Sequence, residues 1–244
     1  MGQLSHFLSR VLHKLSSYNS RFSLPLQYWG YIVSDDKEIE IVRTAELVKY
    51  CPQKRVAIDI GANIGYFTYP LSRLFNSVHS FEINDYTSRP IAAYRSKKIN
   101  LHNVGLSDTT TTLTLYTPVK NGQELNGWAS VEKRPLDWID SYKEKKCKVM
   151  PLDDTDIRNV DFIKIDVEGH EVHVINGAKE LLKRERPLLL IETEGENYKT
   201  LGTLLGELGY EEVPLCRFTN LEGSPQNHIY FHKDKLAGVP IKNS

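Results

Sequence analysis

The chain has no long apolar run, no excess charge of either sign, few cysteines and no repeat, and each absence removes a class of function. No stretch approaches the roughly eighteen apolar residues of a membrane-spanning helix. No basic region, apolar core and small-residue cleavage site can be assembled at the start, so the chain reads as unsecreted and cytoplasmic. Thirty-one Lys and Arg balance thirty-one Asp and Glu, which leaves no global field to gather long RNA or DNA. Cys51, Cys147 and Cys216 are odd in number and far apart; they form no Cys-x-x-Cys pair and fit a reducing compartment. No internal repeat, low-complexity tract or proline-rich linker divides the 244 residues, a length that suits one large α/β domain.

What is present concentrates in residues 56–68. Val56-Ala57-Ile58-Asp59-Ile60 reads as a buried strand that runs into Gly61-Ala62-Asn63-Ile64-Gly65 and a helix over 64–75. Glycines at 61 and 65 let the backbone bend sharply and approach a ligand, while the helix start aims free N–H groups at it. A second apolar strand ends in Glu82, about seventeen residues after Gly65, where a ribose-binding carboxylate follows in such folds. A dinucleotide site asks for G-x-G-x-x-G, and no such glycine doublet is present. Asp59 stands two residues before the first glycine. A carboxylate there repels a pyrophosphate but suits a cationic ligand such as S-adenosylmethionine, which carries an ammonium and a positively charged sulfur. The plainer alternative is a strand-end acid and a simple βα loop.

Leu4, Phe7, Leu8, Val11, Leu12 and Leu15 recur at helical spacing. They predict an N-terminal amphipathic helix that packs on its own domain, with peripheral contact to a membrane surface or partner as the alternative. A strand over 27–33 and a helix over 38–50 complete an extension, residues 1–50, packed on a domain spanning 51–244. From Arg55 onward, strands 55–60, 77–81 and 99–104 alternate with helices 64–75 and 86–97, a parallel βαβ series. The Thr-rich segment 109–119 reads as an inserted antiparallel strand and 121–130 as a loop, together a candidate substrate lid in which Tyr116 and Trp128 are candidates for a sugar-stacking rim. Alternation resumes with strands 148–152 and 160–166, helix 171–183 and strand 187–192. A helix over 198–208 stops at Gly209, and strands 210–213 and 229–232 form an antiparallel edge.

Asp166, Glu168, His170 and Glu171 gather at the junction after the strand 160–166, the end of a parallel strand at which open α/β sheets bind ligands. Acids in a first helical turn also serve the helix dipole, which is the competing account of Glu168 and Glu171. The segments Val56-Ala-Ile-Asp-Ile-Gly-Ala-Asn-Ile-Gly65, Phe81-Glu82, Asn103-Val-Gly-Leu-Ser-Asp108, Phe162-Ile-Lys-Ile-Asp-Val-Glu-Gly-His-Glu171, Ile175-Asn-Gly-Ala178 and Pro187-Leu-Leu-Leu-Ile-Glu192 resemble the FkbM family of S-adenosylmethionine-dependent methyltransferases over about Ile39 to Phe231. The resemblance implies a class I methyltransferase fold, a doubly wound α/β architecture whose seven-stranded, mostly parallel sheet has an antiparallel edge strand. It also implies methyl transfer to a hydroxyl, commonly on a sugar or a polyketide-type metabolite. By position, Asp59, Gly61, Asn63 and Gly65 would form the donor's first loop and Glu82 would hold the ribose hydroxyls. Ser107 or Asp108 would meet the adenine amine, and Asp166 would face the transferring methyl group.

Methyl transfer to a hydroxyl needs oxygen, carbon and sulfur in line and a base for the hydroxyl proton. His170 is the natural candidate from its ordinary pKa, with Glu168 as base or orienter and Asp166 beside the methyl group. A divalent cation is the other way to acidify an acceptor, with Asp166, Glu168 and Glu192 as hard ligands, but their spacing carries no metal signature, so no metal is expected. Two other classes stay open: a donor-binding regulatory or scaffolding module, and a methyltransferase acting on nucleic acid or protein. Asp166-Val-Glu-Gly in place of an Asn-Pro-Pro-Tyr quartet disfavours nucleic acid.

Overall fold

The computed structural model describes residue 44, residues 47–214 and residues 226–236. The expected N-terminal helix and the strand 27–33 lie outside them, as does most of the helix 38–50. Of that helix, Thr44, Leu47 and Val48 are helical and buried. Eleven strands follow in order: β1 (Val56–Ile60), β2 (Ser77–Phe81), β3 (Ile99–His102), β4 (Gly105–Leu106), β5 (Thr111–Lys120), β6 (Gln123–Glu124), β7 (Ser141–Met150), β8 (Val160–Ile165), β9 (Leu188–Glu192), β10 (Tyr210–Glu212) and β11 (Asn227–His232). Helices α1 (Thr68–Leu74), α2 (Arg89–Ala93), α3 (Glu171–Asn176), α4 (Lys179–Glu185), α5 (Gly195–Glu207) and α6 (Lys233–Leu236) connect them.

The main sheet has seven strands in the order β10-β11-β9-β8-β1-β2-β3, parallel except that β11 runs against both of its neighbours. This is the class I methyltransferase arrangement, refined at one point: the antiparallel strand lies second from the edge, and β10 closes the sheet. Residues alternate between two cores. Ile58, Ile60, Ile163, Ile165, Leu189 and Ile191 pack with Val174, Ile175, Leu181, Leu201 and Leu205 on one face. Ala57, Phe162, Leu188, Leu190, Ile229 and Phe231 pack with Leu47, Leu71 and Phe75 on the other. Each such side chain contributes about 1.5–3 kcal/mol on burial, and a sheet covered on both faces explains why β1, β8 and β9 read as nearly continuous apolar runs. Asp161, near the amino end of β8, is satisfied by the Arg55 backbone N–H and guanidinium at 2.7–3.0 Å, far from the ligand-binding ends.

Several expected boundaries move for local reasons. The helix expected over 64–75 starts at Thr68, because Asn63 and Gly65 adopt positive φ of 50° and 98°. The helix expected over 86–97 shrinks to α2, with Pro90 in its first turn. The helix expected over 171–183 breaks into α3 and α4 at Gly177, where a Cβ would lie 2.0 Å from the Ser107 carbonyl oxygen. The strand expected over 99–104 leaves the main sheet after His102 and re-forms as β4 of a second, four-stranded sheet ordered β4-β7-β5-β6. Residues 148–152 do not resume the parallel alternation: through Met150 they end the ten-residue β7, which pairs along its length with β5. The insertion is therefore a long antiparallel hairpin, larger than the single strand and loop read from the sequence.

Candidate active site

The strand order reverses between β1 and β8, so the loops after their carboxyl ends diverge and leave a crevice. Gly61 closes β1 with φ 79°, and a Cβ there would lie 1.7 Å from the Asp166 carbonyl oxygen. That contact requires glycine, because no L side chain fits both the angle and the space. Asn63 donates its backbone N–H to Glu82 Oε2 at 2.6 Å, and Asn84 donates its own to Oε1 at 2.7 Å. A bond from the Thr87 side chain takes one more of its roughly four acceptor sites and leaves one for a ligand hydroxyl. Glu82 is 7% exposed, and burial pushes its pKa up to about 7 despite the two amides.

Asp166, Glu168 and His170 all line the same cleft, together with Gly61, Asn63 and Glu82. Asp166 begins the loop after β8, its N–H bonded to the Ile60 carbonyl at 2.9 Å. Lys164, fully buried, sets its ammonium 3.8 Å from Asp166 Oδ2 and 3.4 Å from Glu192 Oε2. That ammonium stands between two of the three acids considered as hard ligands for a divalent cation. Glu168 holds φ 57°, and burial raises its pKa although Arg134 lies 2.6 Å away. His170 is tied at both nitrogens, Nε2 to Ser107 Oγ at 2.9 Å and Nδ1 to Glu132 Oε1 at 2.7 Å. Burial lowers its pKa, against the opposing pull of Glu132.

The insertion roofs this floor. Asn126, Gly127, Ala129, Ser130 and Val131 line the cleft from above, and Ile83, Leu106, Leu115 and Val149 give it apolar walls. Three contacts latch the strap 130–134 to the floor: Ser130 Oγ donates to the Glu168 carbonyl at 2.8 Å, Arg134 pairs with the Glu168 carboxylate, and Glu132 meets His170. The cleft holds about 620 Å³ counted to its open mouth, and it is narrow beneath the strap. Trp128 is 48% exposed beside the mouth, edge-on to Trp138 at 5.4 Å, whereas Tyr116 packs against Tyr142 at 6.0 Å.

Of the expected donor-binding residues, Gly65 lies outside the cleft lining, and three others make their bonds elsewhere. Asp59 is 1% exposed and lies beneath the loop, accepting from Thr68 Oγ1 at 2.6 Å; burial pushes its pKa up to about 6. Ser107 is turned to His170, and Asp108 accepts from His173 Nδ1 at 2.8 Å. None of the three lines the cleft. Lys164, Glu132 and Arg134 were not marked by the sequence. A lysine amid β8's apolar residues was the available signal for the first, but the strap residues sit in a segment without periodicity and gave none.

The burial of Glu82 has a testable sign. Its folded-state pKa of about 7 exceeds the ordinary 4.5, so the folded protein holds a proton that the unfolded chain releases, and stability falls as pH rises across that window. Glu82→Gln is expected to flatten this fall, read as the urea midpoint against pH. An unchanged slope would return Glu82 to the ordinary carboxylate range.

Residues 59–212 match the family described as the methyltransferase FkbM domain. Among solved structures, similarity is found to an FkbM methyltransferase from Methylobacillus flagellatus KT, at 18% identity and TM-score 0.46, over 73% of this chain and 43% of that one. A precorrin-6y C5,15-methyltransferase from Geobacter metallireducens GS-15 matches at 13% identity and TM-score 0.43, over 87% and 93% of the two chains. A putative methyltransferase from Streptococcus mutans, in complex with SAH, matches at 12% identity and TM-score 0.45, over 79% and 95%. The chain thus spans less than half the length of the Methylobacillus enzyme. The comparison with curated proteins returns no match. Family membership rests on the match across 59–212, which is more than half of the chain, and the strand order agrees with it: the chain belongs to the FkbM family of methyltransferases.

Proposed function

We propose that the protein transfers a methyl group from S-adenosylmethionine to a hydroxyl of a sugar, glycan or small metabolite. The observation that carries this is the cleft at the β1/β8 switch point, where Glu82 faces the space among apolar walls. The residues fit the donor: Glu82 would accept from ribose hydroxyls, Ile83, Leu106 and Val149 would face the heterocycle, and the Gly61–Gly65 loop would pass close to the ligand. When bound, S-adenosylmethionine supplies an electrophilic methyl carbon on a positively charged sulfur. Asp59, although it touches no ligand in this scheme, places negative charge beneath the loop as it ionises above about pH 6.

Asp166 would take the acceptor's proton, since its carboxylate lines the cleft and is not covered by the strap. Lys164 would hold Asp166 and Glu192 in place from below. Glu168 and His170, given the base role on sequence grounds, instead anchor the strap in this proposal, because Arg134 pairs with the Glu168 carboxylate and Glu132 and Ser107 occupy both nitrogens of His170. The strap must lift for ligands to enter and would exclude water once closed. Trp128 and Trp138 at the mouth would offer apolar faces to a sugar ring. A cytoplasmic setting is supported by two buried free thiols, Cys51 and Cys147. Among the described residues, no helix is long and apolar enough to cross a membrane.

The test is a screen of hydroxylated sugars, nucleotide sugars, lipid-linked glycans and RNA with methyl-labelled donor. Label on a sugar or metabolite oxygen is the expected result. Label on RNA alone, or donor binding without transfer to any acceptor class, would favour the nucleic-acid or regulatory alternative.

A further inference from the structure

We propose that Glu132, His170 and His173 form a binding site for a transition-metal cation of the Zn²⁺ class, which clamps the strap to the floor of the cleft. The three residues each offer one ligand atom, and these atoms all lie within 4.8 Å of one another. His170 and His173 stand one helical turn apart at the start of α3, their rings stacked at 4.5 Å, while Glu132 reaches them from the insertion. The site therefore joins two parts of the chain that no strand pairing connects at this point.

The surroundings are those of a metal centre rather than of a stray ion pair. Each imidazole is anchored through one nitrogen by the turn after β4: Ser107 Oγ lies 2.9 Å from His170 Nε2, and the Asp108 carboxylate lies 2.8 Å from His173 Nδ1. Such anchoring fixes the tautomer and ring orientation of ligating histidines. Two imidazoles and one carboxylate match the donor set of open zinc sites, which leave a fourth position to water, and they disfavour Mg²⁺ and Ca²⁺, which take oxygen ligands. Glu132 and His173 have side chains 46% and 49% exposed, which gives the cation a path from solvent.

Binding requires a small movement. Glu132 Oε1 and His170 Nδ1 stand 2.7 Å apart, and ligands at zinc bond lengths and tetrahedral angles would stand farther apart by about 0.7 Å. The half-exposed Glu132 side chain can supply that shift. The loaded site would pin the strap closed over a cleft that His170 itself lines, and the metal-free site would leave the strap held by Arg134 and Ser130.

Titration of chelator-treated, buffer-exchanged protein with Co²⁺ tests the site independently of any enzyme assay. One equivalent should develop the intense visible absorption of tetrahedral Co²⁺, and Zn²⁺ should displace it. At a hundredfold excess of Zn²⁺ over its Kd, the melting temperature should rise by roughly 5–10 °C. His173→Ala, at a half-exposed position, should abolish the absorption, and Asp108→Asn should weaken binding by roughly 10–100-fold. Only the pale spectrum of octahedral Co²⁺ with the wild-type chain, or binding by His173→Ala as tight as the wild type, would overturn the site.

Discussion

Gly61→Ala is expected to cost the protein about 3 kcal/mol or more of stability, with donor binding lost in whatever fraction still folds. The added methyl group would lie 1.7 Å from the Asp166 carbonyl oxygen and 2.8 Å from its carbon. Both are backbone atoms, so no rotamer change relieves the overlap, and separating β1 from β8 would open the crevice. Forcing an alanine to φ 79° costs roughly 1–2 kcal/mol, and overpacking against a fixed neighbour adds roughly 1–3 kcal/mol. For a chain of this size the sum corresponds to a fall in melting temperature of roughly 6–12 °C. Gly195→Ala is the matched control, because Gly195 also has positive φ, 62°, but a Cβ there meets nothing within 4 Å. It should lose only the conformational part. Equal losses for the two variants would show that the contact with Asp166 does not matter.

Asp166→Asn is expected to lower kcat by roughly 10²–10⁴-fold while leaving donor affinity within about threefold. The substitution keeps the size of the side chain and removes its capacity to take a proton. It also leaves Glu192, 3.4 Å from Lys164 in the unsubstituted protein, as the remaining carboxylate of the two beside that ammonium. Single-turnover measurements with labelled donor separate the chemical step from binding. His170→Gln should act differently, raising KM for the acceptor more than it lowers kcat, since His170 holds the strap through Glu132. If Asp166→Asn turned over at a near-normal rate and His170→Gln did not, the base would be the histidine, and Asp166 would be a structural acid.

The floor of the site was legible in the sequence because its residues do local work with a recognisable spacing. Gly61 and Gly65 announce a turn that only glycine makes, Glu82 ends a strand at the interval a ribose requires, and Asp166 ends another. Buried strands such as Val56 to Ile60 and Val160 to Ile165 are apolar at most positions, so their type was legible too. Asp59 stands at the expected position, but its depth was not legible, because no one-dimensional pattern tells a strand-end acid that faces the crevice from one that bonds to Thr68 below it. Ser107 and Asp108 were assigned to the adenine through the family resemblance, and the structure turns them toward His170 and His173. The insertion was legible as a candidate lid, but its extent was not: β7 carries lysines at 143, 145, 146 and 148 and a glutamate at 144, so half of a ten-residue strand looks like a solvated loop. Its pairing with β5 spans the whole insertion, a non-local contact with no local mark. Glu132 and Arg134 acquire their roles only when that hairpin folds back over the floor.

The central claim is that the loop from Gly61 to Gly65, with Glu82 beneath it, is shaped for S-adenosylmethionine. Calorimetric titration of ligand-stripped protein with S-adenosylmethionine and with S-adenosylhomocysteine tests it most directly. The account predicts saturable one-to-one binding of both, weakened by roughly tenfold or more in Glu82→Gln through loss of charge-assisted hydrogen bonds. No heat from either compound, with the protein shown to be folded, would contradict it.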